Sequence, residues 1–412
     1  MPRNTPFTAI DVGTTKICTL VADLDETGDI EIIGVGITPA QGLRKGIVVS
    51  VEETIESIRA SVEKAQRSSG HRISSAHVGV AGSHISSLNN RSIVTIARHD
   101  RLISQEDVAR ALESARTVSI PANREVIHVI PRGYILDGQE GVRNPVGMHG
   151  FRLDVETHII TGATTSIQNL TKCVQGAGIE INDLVLEPVA SSEAVLEPAE
   201  KEMGVVLADI GGGTTDVAIF MDGGICHTAV LPVGGNHLSN DIAIGLRTSF
   251  GAAEELKTRY GYAIASVVDG VDNIQVASFG TDGNRTVPQR HLCEIIQARV
   301  EEILNMTLDE IKRSGYQNRL PAGLVLTGGV ANLRGIDALA RDVLQMPVRI
   351  GTPKLMRGLV DAIHNPAYAT SIGLLIWGLK HGEIEKRPRK KGGGIMDVFK
   401  RFTFWIRELI PQ

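Results

Sequence analysis

Residues 207–220 read LADIGGGTTDVAIF: an apolar strand ending in an acid, three glycines, two threonines, a second acid and another apolar strand. Three consecutive missing side chains add nothing to packing. Glycine instead lets backbone approach a ligand closely, and successive N–H groups in such a turn form a concave anion nest. Gly211, Gly212 and Gly213 therefore point to phosphate, with Thr214 and Thr215 as hydroxyl donors. Asp209, at the strand end, is placed to hold Mg²⁺ directly or through its retained waters. The same order recurs in FTAIDVGTTKICTL, where Asp11, Gly13, Thr14 and Thr15 take the corresponding places. Two such turns facing each other would clamp one polyphosphate, with Asp11 and Asp209 as the paired metal candidates. No GxxxxGK[ST] occurs, so this is not a P-loop, and a divalent ion would have to neutralise most of the charge. Lys16 is a candidate helper, or equally a solvated strand residue.

Further segments carry weaker signals. AGLVLTGGVANLRGI places Gly328 and Gly329 between an apolar run and a plausible helix, where flat backbone can lie against a purine ring or its ribose. LEPVASSEAVL opens a helical pattern with Glu187 and Pro188, and AYATSIGLLIWG is an apolar helix with small residues on one face, suited to close helix contact. AAEELKTRYG sets Glu254 and Lys257 three residues apart, which is also the spacing of an ordinary surface ion pair.

These groups need a scaffold that brings distant turns together. Residues 7–36 and 205–235 share the order strand, acid, Gly turn, Thr-Thr, strand, Gly turn, strand, and each reads as a three-stranded meander, so the chain carries an internal repeat. A length of 412 residues predicts two to four units. The 42% hydrophobic and 22% charged fractions are those of a soluble globular protein, and a net charge of −5 argues against a general nucleic-acid binder. Four dispersed cysteines without CxxC spacing predict a reducing compartment, with neither disulfide framework nor zinc site. The first residues pass straight into a strand without an apolar signal segment, and no run reaches the roughly 18 apolar residues of a membrane span, so the expected home is the cytoplasm.

Taken in order, these segments resemble the signature of the actin, Hsp70 and sugar-kinase superfamily. The match runs through phosphate 1 (Ile10–Lys16), connect 1 (Glu187–Leu196), phosphate 2 (Leu207–Val217), adenosine (Leu324–Asn332) and connect 2 (Ala367–Gly378). That resemblance implies an actin-like (ribonuclease-H-like) α/β fold of two duplicated domains hinged at the connect helices, with ATP and Mg²⁺ in the cleft between them. Gly211–Gly213 would border the β- and γ-phosphates, Glu254 and Lys257 the ribose and base, and Glu187 would position or deprotonate the attacking water. A small-molecule kinase, an Hsp70-type chaperone and a pilus-assembly ATPase share the superfamily and are alternatives.

The branch is set by the stretch from His84 to His158. It reads as strand, helix and strand, with Ser104 and Asp107 opening the helix as a capping sequence. The phrases HVIPRGYILDGQEGVRNPVGMHG, LPVGGNHLSNDIAIGLRTSFGAAEELKTRYG and VLTGGVANLRGI are similar to those of the bacterial FtsA cell-division family. The resemblance implies an actin-like domain 1A at 1–83 and 159–195, an inserted 1C subdomain at 84–158, domain 2A at 196–250 and 291–382, and subdomain 2B at 251–290. It also implies filaments of the chain itself, FtsZ bound through its C-terminal tail, and later membrane proteins of the divisome as partners. ATP hydrolysis is expected to be slow at most.

The tail adds a separate physical signal. A charged linker, 383–394, ends in three glycines, and a helix is predicted over 395–412. Ile395, Phe399, Phe402, Ile406 and Leu409, with Trp405 beside them, form one apolar face, and Lys400 and Arg401 lie opposite. Such a helix lies in the headgroup boundary, and the basic residues of the linker favour anionic lipid. The expected location is the cytoplasmic face of the cell membrane at the division site, reached peripherally.

Overall fold

The computed structural model describes residues 6–24, 29–269, 271–277, 283–354, 356–361 and 363–382. The linker and amphipathic helix expected over 383–412, with all the membrane-facing residues named above, lie outside the described residues.

The chain opens with β1 (Phe7–Val12), β2 (Lys16–Leu24) and β3 (Ile30–Pro39), followed by a small hairpin of β4 (Leu43–Arg44) and β5 (Ile47–Val48), helix α1 (Val51–Ser69) and β6 (Ser75–Val80). β1, β2 and β3 pair antiparallel in sequence, with Asp11 opposite Cys18, while β6 returns parallel to β1. Gly70 ends α1 in the left-handed region, a backbone conformation that a side chain would oppose.

An inserted unit follows: β7 (Ser86–Thr95), α2 (Gln105–Arg116), β8 (Arg124–Leu136), β9 (Gln139–Val142) and β10 (Arg152–Ala163). Its strands form a separate four-stranded sheet, ordered β7-β10-β8-β9, with α2 packed on one face, its Val108 and Leu112 against Val94, Leu153 and Val155 of the strands. The capping sequence acts as read: Ser104 Oγ accepts from the Asp107 N–H at 3.3 Å and the Asp107 carboxylate accepts from the Ser104 N–H at 2.9 Å. Pro131 sits inside β8, where its missing N–H is tolerated because the ladder shifts register between Glu156 and Thr157 of β10.

The chain returns through α3 (Thr164–Gly176) and β11 (Glu180–Leu186), which lies parallel to β6, and then α4 (Glu187–Val195) and α5 (Pro198–Met203). The second meander is β12 (Val205–Ile210), β13 (Thr215–Met221) and β14 (Gly224–Leu231). After it come α6 (Gly235–Gly245), α7 (Phe250–Tyr260), a hairpin of β15 (Asn273–Ala277) and β16 (Asn284–Pro288), and α8 (Gln289–Ser314). The last elements are β17 (Leu324–Thr327), α9 (Ile336–Leu344), β18 (Val348–Ile350), β19 (Arg357–Gly358) and α10 (Ala369–Gly382).

The two main sheets run β11-β6-β1-β2-β3-β19 and β14-β13-β12-β17-β18. In each, a meander is extended by two parallel strands on the side of its first strand, so the repeat read in the sequence is a repeat of topology. β12 is buried at every position because both its faces are covered. Val206, Ala208 and Ile210 face a core shared with α6 and α8, whereas Val205 and Leu207 face a central core shared with α4 and α10. α4 and α10 approach closely: a β-carbon on Gly373 would fall 1.9 Å from the Ala190 carbonyl oxygen. The small face read in the sequence of α10 is therefore its contact with α4.

The insert also touches the second sheet. Ser87 Oγ donates to the Thr228 carbonyl at 2.9 Å and Asn89 Nδ2 to the Cys226 carbonyl at 3.1 Å. His158 is buried between them, its ring nitrogens 2.7 Å from Asn89 Oδ1 and 2.9 Å from Thr228 Oγ1.

Candidate functional site

The turns after β1 and β12 have the same internal bond: the Gly13 N–H donates to the Lys16 carbonyl at 3.1 Å, and the Gly211 N–H to the Thr214 carbonyl at 2.9 Å. They meet face to face. A β-carbon on Gly212 would lie 2.2 Å from Thr15 Cγ2, and one on Gly213 would lie 2.6 Å from Thr14 Oγ1. The opposing threonines thus occupy the space that side chains at these glycines would need. Thr14 Oγ1 also accepts from the Gly46 N–H at 3.1 Å, Thr214 donates to Asp216 Oδ2 at 3.1 Å, and buried Thr215 donates to the Val233 carbonyl at 2.8 Å. The N-terminus of α6 closes against the same turn, the Gly235 and Asn236 N–H groups donating to the Gly211 and Gly212 carbonyls.

Four carboxyls gather behind the turns: Asp11, Asp209, Asp216 and Glu187. Asp209 and Asp216 are direct cross-strand partners, and Glu187 opens α4 beside Gly79. Burial pushes Asp11 and Asp209 above the usual carboxylate range, and raises Asp216 to about 8 with the help of the Asp209 charge. Glu187 is held well above its ordinary value by burial first, then by the charges of Asp11, Asp216 and Asp209. Lys16 is the cation beside them. Burial lowers its pKa while Asp11 and Asp209 oppose that shift. Its ammonium donates to the Ala367 carbonyl and stands 3.6 Å from the centre of the Tyr368 ring, so it faces the start of α10 and is not a solvated strand residue.

Hydroxyls from α4 and α10 complete this cluster. Ser191 Oγ donates to Asp209 Oδ2 at 2.6 Å, Thr370 Oγ1 donates to the same oxygen at 3.1 Å, and Ser371 Oγ donates to Asp11 Oδ2 at 2.8 Å. The sequence reading missed all three, because small polar residues on an apolar helix look like packing residues.

A cavity of about 230 Å³ opens beside the turns, and it brings together Thr15, Gly211, Gly212, Glu254, Lys257 and Gly329. Lys257 Nζ is held by Glu254 Oε2 at 2.7 Å, Ser239 Oγ at 2.9 Å and the Gly235 carbonyl at 3.2 Å. The i,i+3 pair therefore belongs to a cavity wall. Gly328 has positive φ, and a β-carbon there would fall 2.4 Å from Asp209 Oδ1; Gly329 meets nothing and presents bare backbone to the cavity. Asn332 and Arg334 also line it and were not singled out from sequence. Asn332 Nδ2 donates to Asn365 Oδ1 at 2.8 Å, a contact that joins segments remote in the chain. Two larger openings, of about 830 and 510 Å³, contain none of the candidate residues.

The acid cluster fits a hydrated divalent cation. Asp216 Oδ1 is buried without a hydrogen-bond partner among the described residues, and the buried Asp11, Asp209 and Asp216 gather with the half-buried Glu187, Lys16 facing Asp11 and Asp209. No group of three His, Cys, Asp or Glu side chains among the described residues is placed to hold a bare ion. No helix among the described residues is long and apolar enough to cross a membrane.

The family profile "Cell division protein FtsA" matches residues 206–373, and "SHS2 domain inserted in FTSA" matches residues 82–161. The chain is 44% identical to the cell division protein FtsA of Pseudomonas aeruginosa, over 90% of this chain and 88% of the relative. It is 38% identical to that of Bacillus subtilis, over 94% and 86%, and 35% identical to that of Escherichia coli K12, over 97% of each. Among solved structures it is similar to a chain of the PilM-PilN type IV pilus biogenesis complex, with TM-score 0.66, 16% identity and coverage of 92% and 99%. MreB5 of Spiroplasma citri bound to ADP is similar with TM-score 0.53, 15% identity and coverage of 93% and 97%. At such identities these structures establish the actin-like fold, in agreement with the expectation from sequence. With relatives this similar over nearly its whole length, the chain belongs to the FtsA family of actin-like cell division proteins.

Proposed function

We propose that this protein binds ATP with Mg²⁺ between its two sheets, polymerises on the cytoplasmic face of the cell membrane, and tethers the FtsZ ring there. The observation that carries the nucleotide part is the meeting of the two glycine turns next to a cavity lined by Glu254, Lys257 and Gly329. The MreB5 structures, similar in fold, hold ADP and AMPPNP, which supports the same use of this cleft. Asp11 and Asp209 would hold the cation through its waters, and Thr14, Thr15 and the backbone of Gly13 and Gly211–Gly213 would border the phosphates. When bound, Mg²⁺ supplies charge neutralisation for the polyphosphate. Glu254 and Lys257 would fix the sugar and base against Gly328 and Gly329. Glu187, at the start of α4 beside the two turns, would position or deprotonate the attacking water. Hydrolysis is expected to be slow at most.

The domain limits expected from sequence, with 1C at 84–158 and 2B at 251–290, are retained as part of this reading. So are FtsZ, bound through its tail, and the later divisome proteins as partners. Membrane attachment rests on the apolar face Ile395, Phe399, Phe402, Trp405, Ile406 and Leu409 and on Lys400 and Arg401, a pattern in the sequence. Many weak tails on one filament multiply their binding. The test is sedimentation with anionic liposomes, with and without Mg-ATP, of the full chain and of a chain ending at Gly394, followed by imaging of the pellet. Tail-dependent, ATP-promoted filaments on liposomes are expected. A full chain that stays monomeric in the supernatant under all conditions overturns the tether.

A further inference from the structure

α4 and α10 pass between the halves of the molecule, and each sends a hydroxyl away from its own backbone into the acid cluster. Serine in a helix ordinarily satisfies its hydroxyl on the preceding turn. Ser192 does so, donating to the Val189 carbonyl at 2.7 Å. Its neighbour Ser191 lies 3.0 Å from the Glu187 carbonyl but makes its shorter bond, 2.6 Å, to Asp209 of β12. Ser371 bonds Asp11 of β1 at 2.8 Å, across 360 positions of chain. The two helices are joined at the same place, Ser191 Oγ and Thr370 Oγ1 being 3.0 Å apart. Thus the acid from the second sheet is tied to both helices and the acid from the first sheet to α10.

In each acid one carboxylate oxygen accepts the helix hydroxyls. A buried carboxylate fixed at one oxygen presents the other in a set direction, and Ser191, Thr370 and Ser371 are themselves almost fully buried and have little freedom to yield. We infer that Ser191 and Ser371 are positioning residues for the divalent cation, holding Asp209 and Asp11 so that occupation of the cation site is felt directly by the two hinge helices. This rests on the nucleotide reading above, and deepens it: occupation of the cation site reaches α4 and α10 through these hydroxyls.

The experiment uses the full chain and a fluorescent ATP analogue, titrated in EDTA and in Mg²⁺. Wild type is expected to bind more tightly with Mg²⁺. In Ser191→Ala and Ser371→Ala the affinity in EDTA should stay within about twofold of wild type, while the Mg²⁺ enhancement falls about tenfold, as loss of a bond to a charged group would give. Ser192→Ala removes an equally buried hydroxyl of the same helix and should leave the enhancement unchanged. An unchanged enhancement in both of the first two variants, or an equal loss in all three, overturns the inference. If one variant fails to fold, the other, on a different helix, decides. Wild type that binds the analogue with no Mg²⁺ enhancement overturns the inference alone; wild type that binds no analogue in either condition overturns the nucleotide reading and the inference with it.

Discussion

A β-carbon on Gly212 would stand 2.2 Å from Cγ2 of Thr15, although the two residues belong to turns nearly two hundred positions apart. Contact this close leaves room for no side chain, so the pair sets how near the two sheets can come. Gly212→Ala is expected to destabilise the fold by about 1–3 kcal/mol through overpacking. Thr15→Ser removes the offending methyl, and the double variant should recover most of the loss. Urea unfolding of the four proteins in a double-mutant cycle checks this, and additive effects would show that the turns do not touch.

The insert's contact with the second sheet predicts a pH dependence. His158 is buried between Asn89 and Thr228, and burial, with the charges of His227 and Arg132, pushes its pKa down to about 3 from an ordinary 6.5. A depressed histidine contributes stability that is complete above 6.5, where folded and unfolded chains are both neutral. Below that value the unfolded chain takes up a proton that the folded chain refuses, so stability falls with pH. Relative to His158→Gln, wild type should lose about 1.4 kcal/mol per pH unit between pH 6 and 5, the equivalent of one proton. Unfolding at several pH values measures it; parallel curves for the two proteins would place the ring in contact with water.

Lys257 gives a prediction for the cavity. Three partners hold its ammonium, one of them Glu254. Lys257→Met is expected to weaken binding of a fluorescent ATP analogue by about tenfold or more, since a charged hydrogen-bond donor is lost from a partly buried wall. The melting temperature should fall by only a few degrees. Undiminished binding would remove the pair from the nucleotide site.

Much of the framework was legible from residues near each other in the chain. The two meanders, their acid-Gly-Thr-Thr turns, the capping box of Ser104 and Asp107 and the small face of α10 are local patterns, and local backbone sterics and alternation of burial specify them. Glu254 and Lys257 were found by a spacing that a surface ion pair would share, and only the fold showed them lining a cavity. The strand position of Lys16 suits a ligand-facing or a solvated side chain equally, and contacts with Ala367 and Tyr368, more than 350 positions away, decide between them. The bonds of Ser191 to Asp209 and of Ser371 to Asp11 left no trace in periodicity, because a serine among alanines on a buried helix face has the same pattern whether its hydroxyl turns to its own backbone or to another strand. That choice depends on which acceptor lies within 3 Å in space, and chain order does not carry that distance.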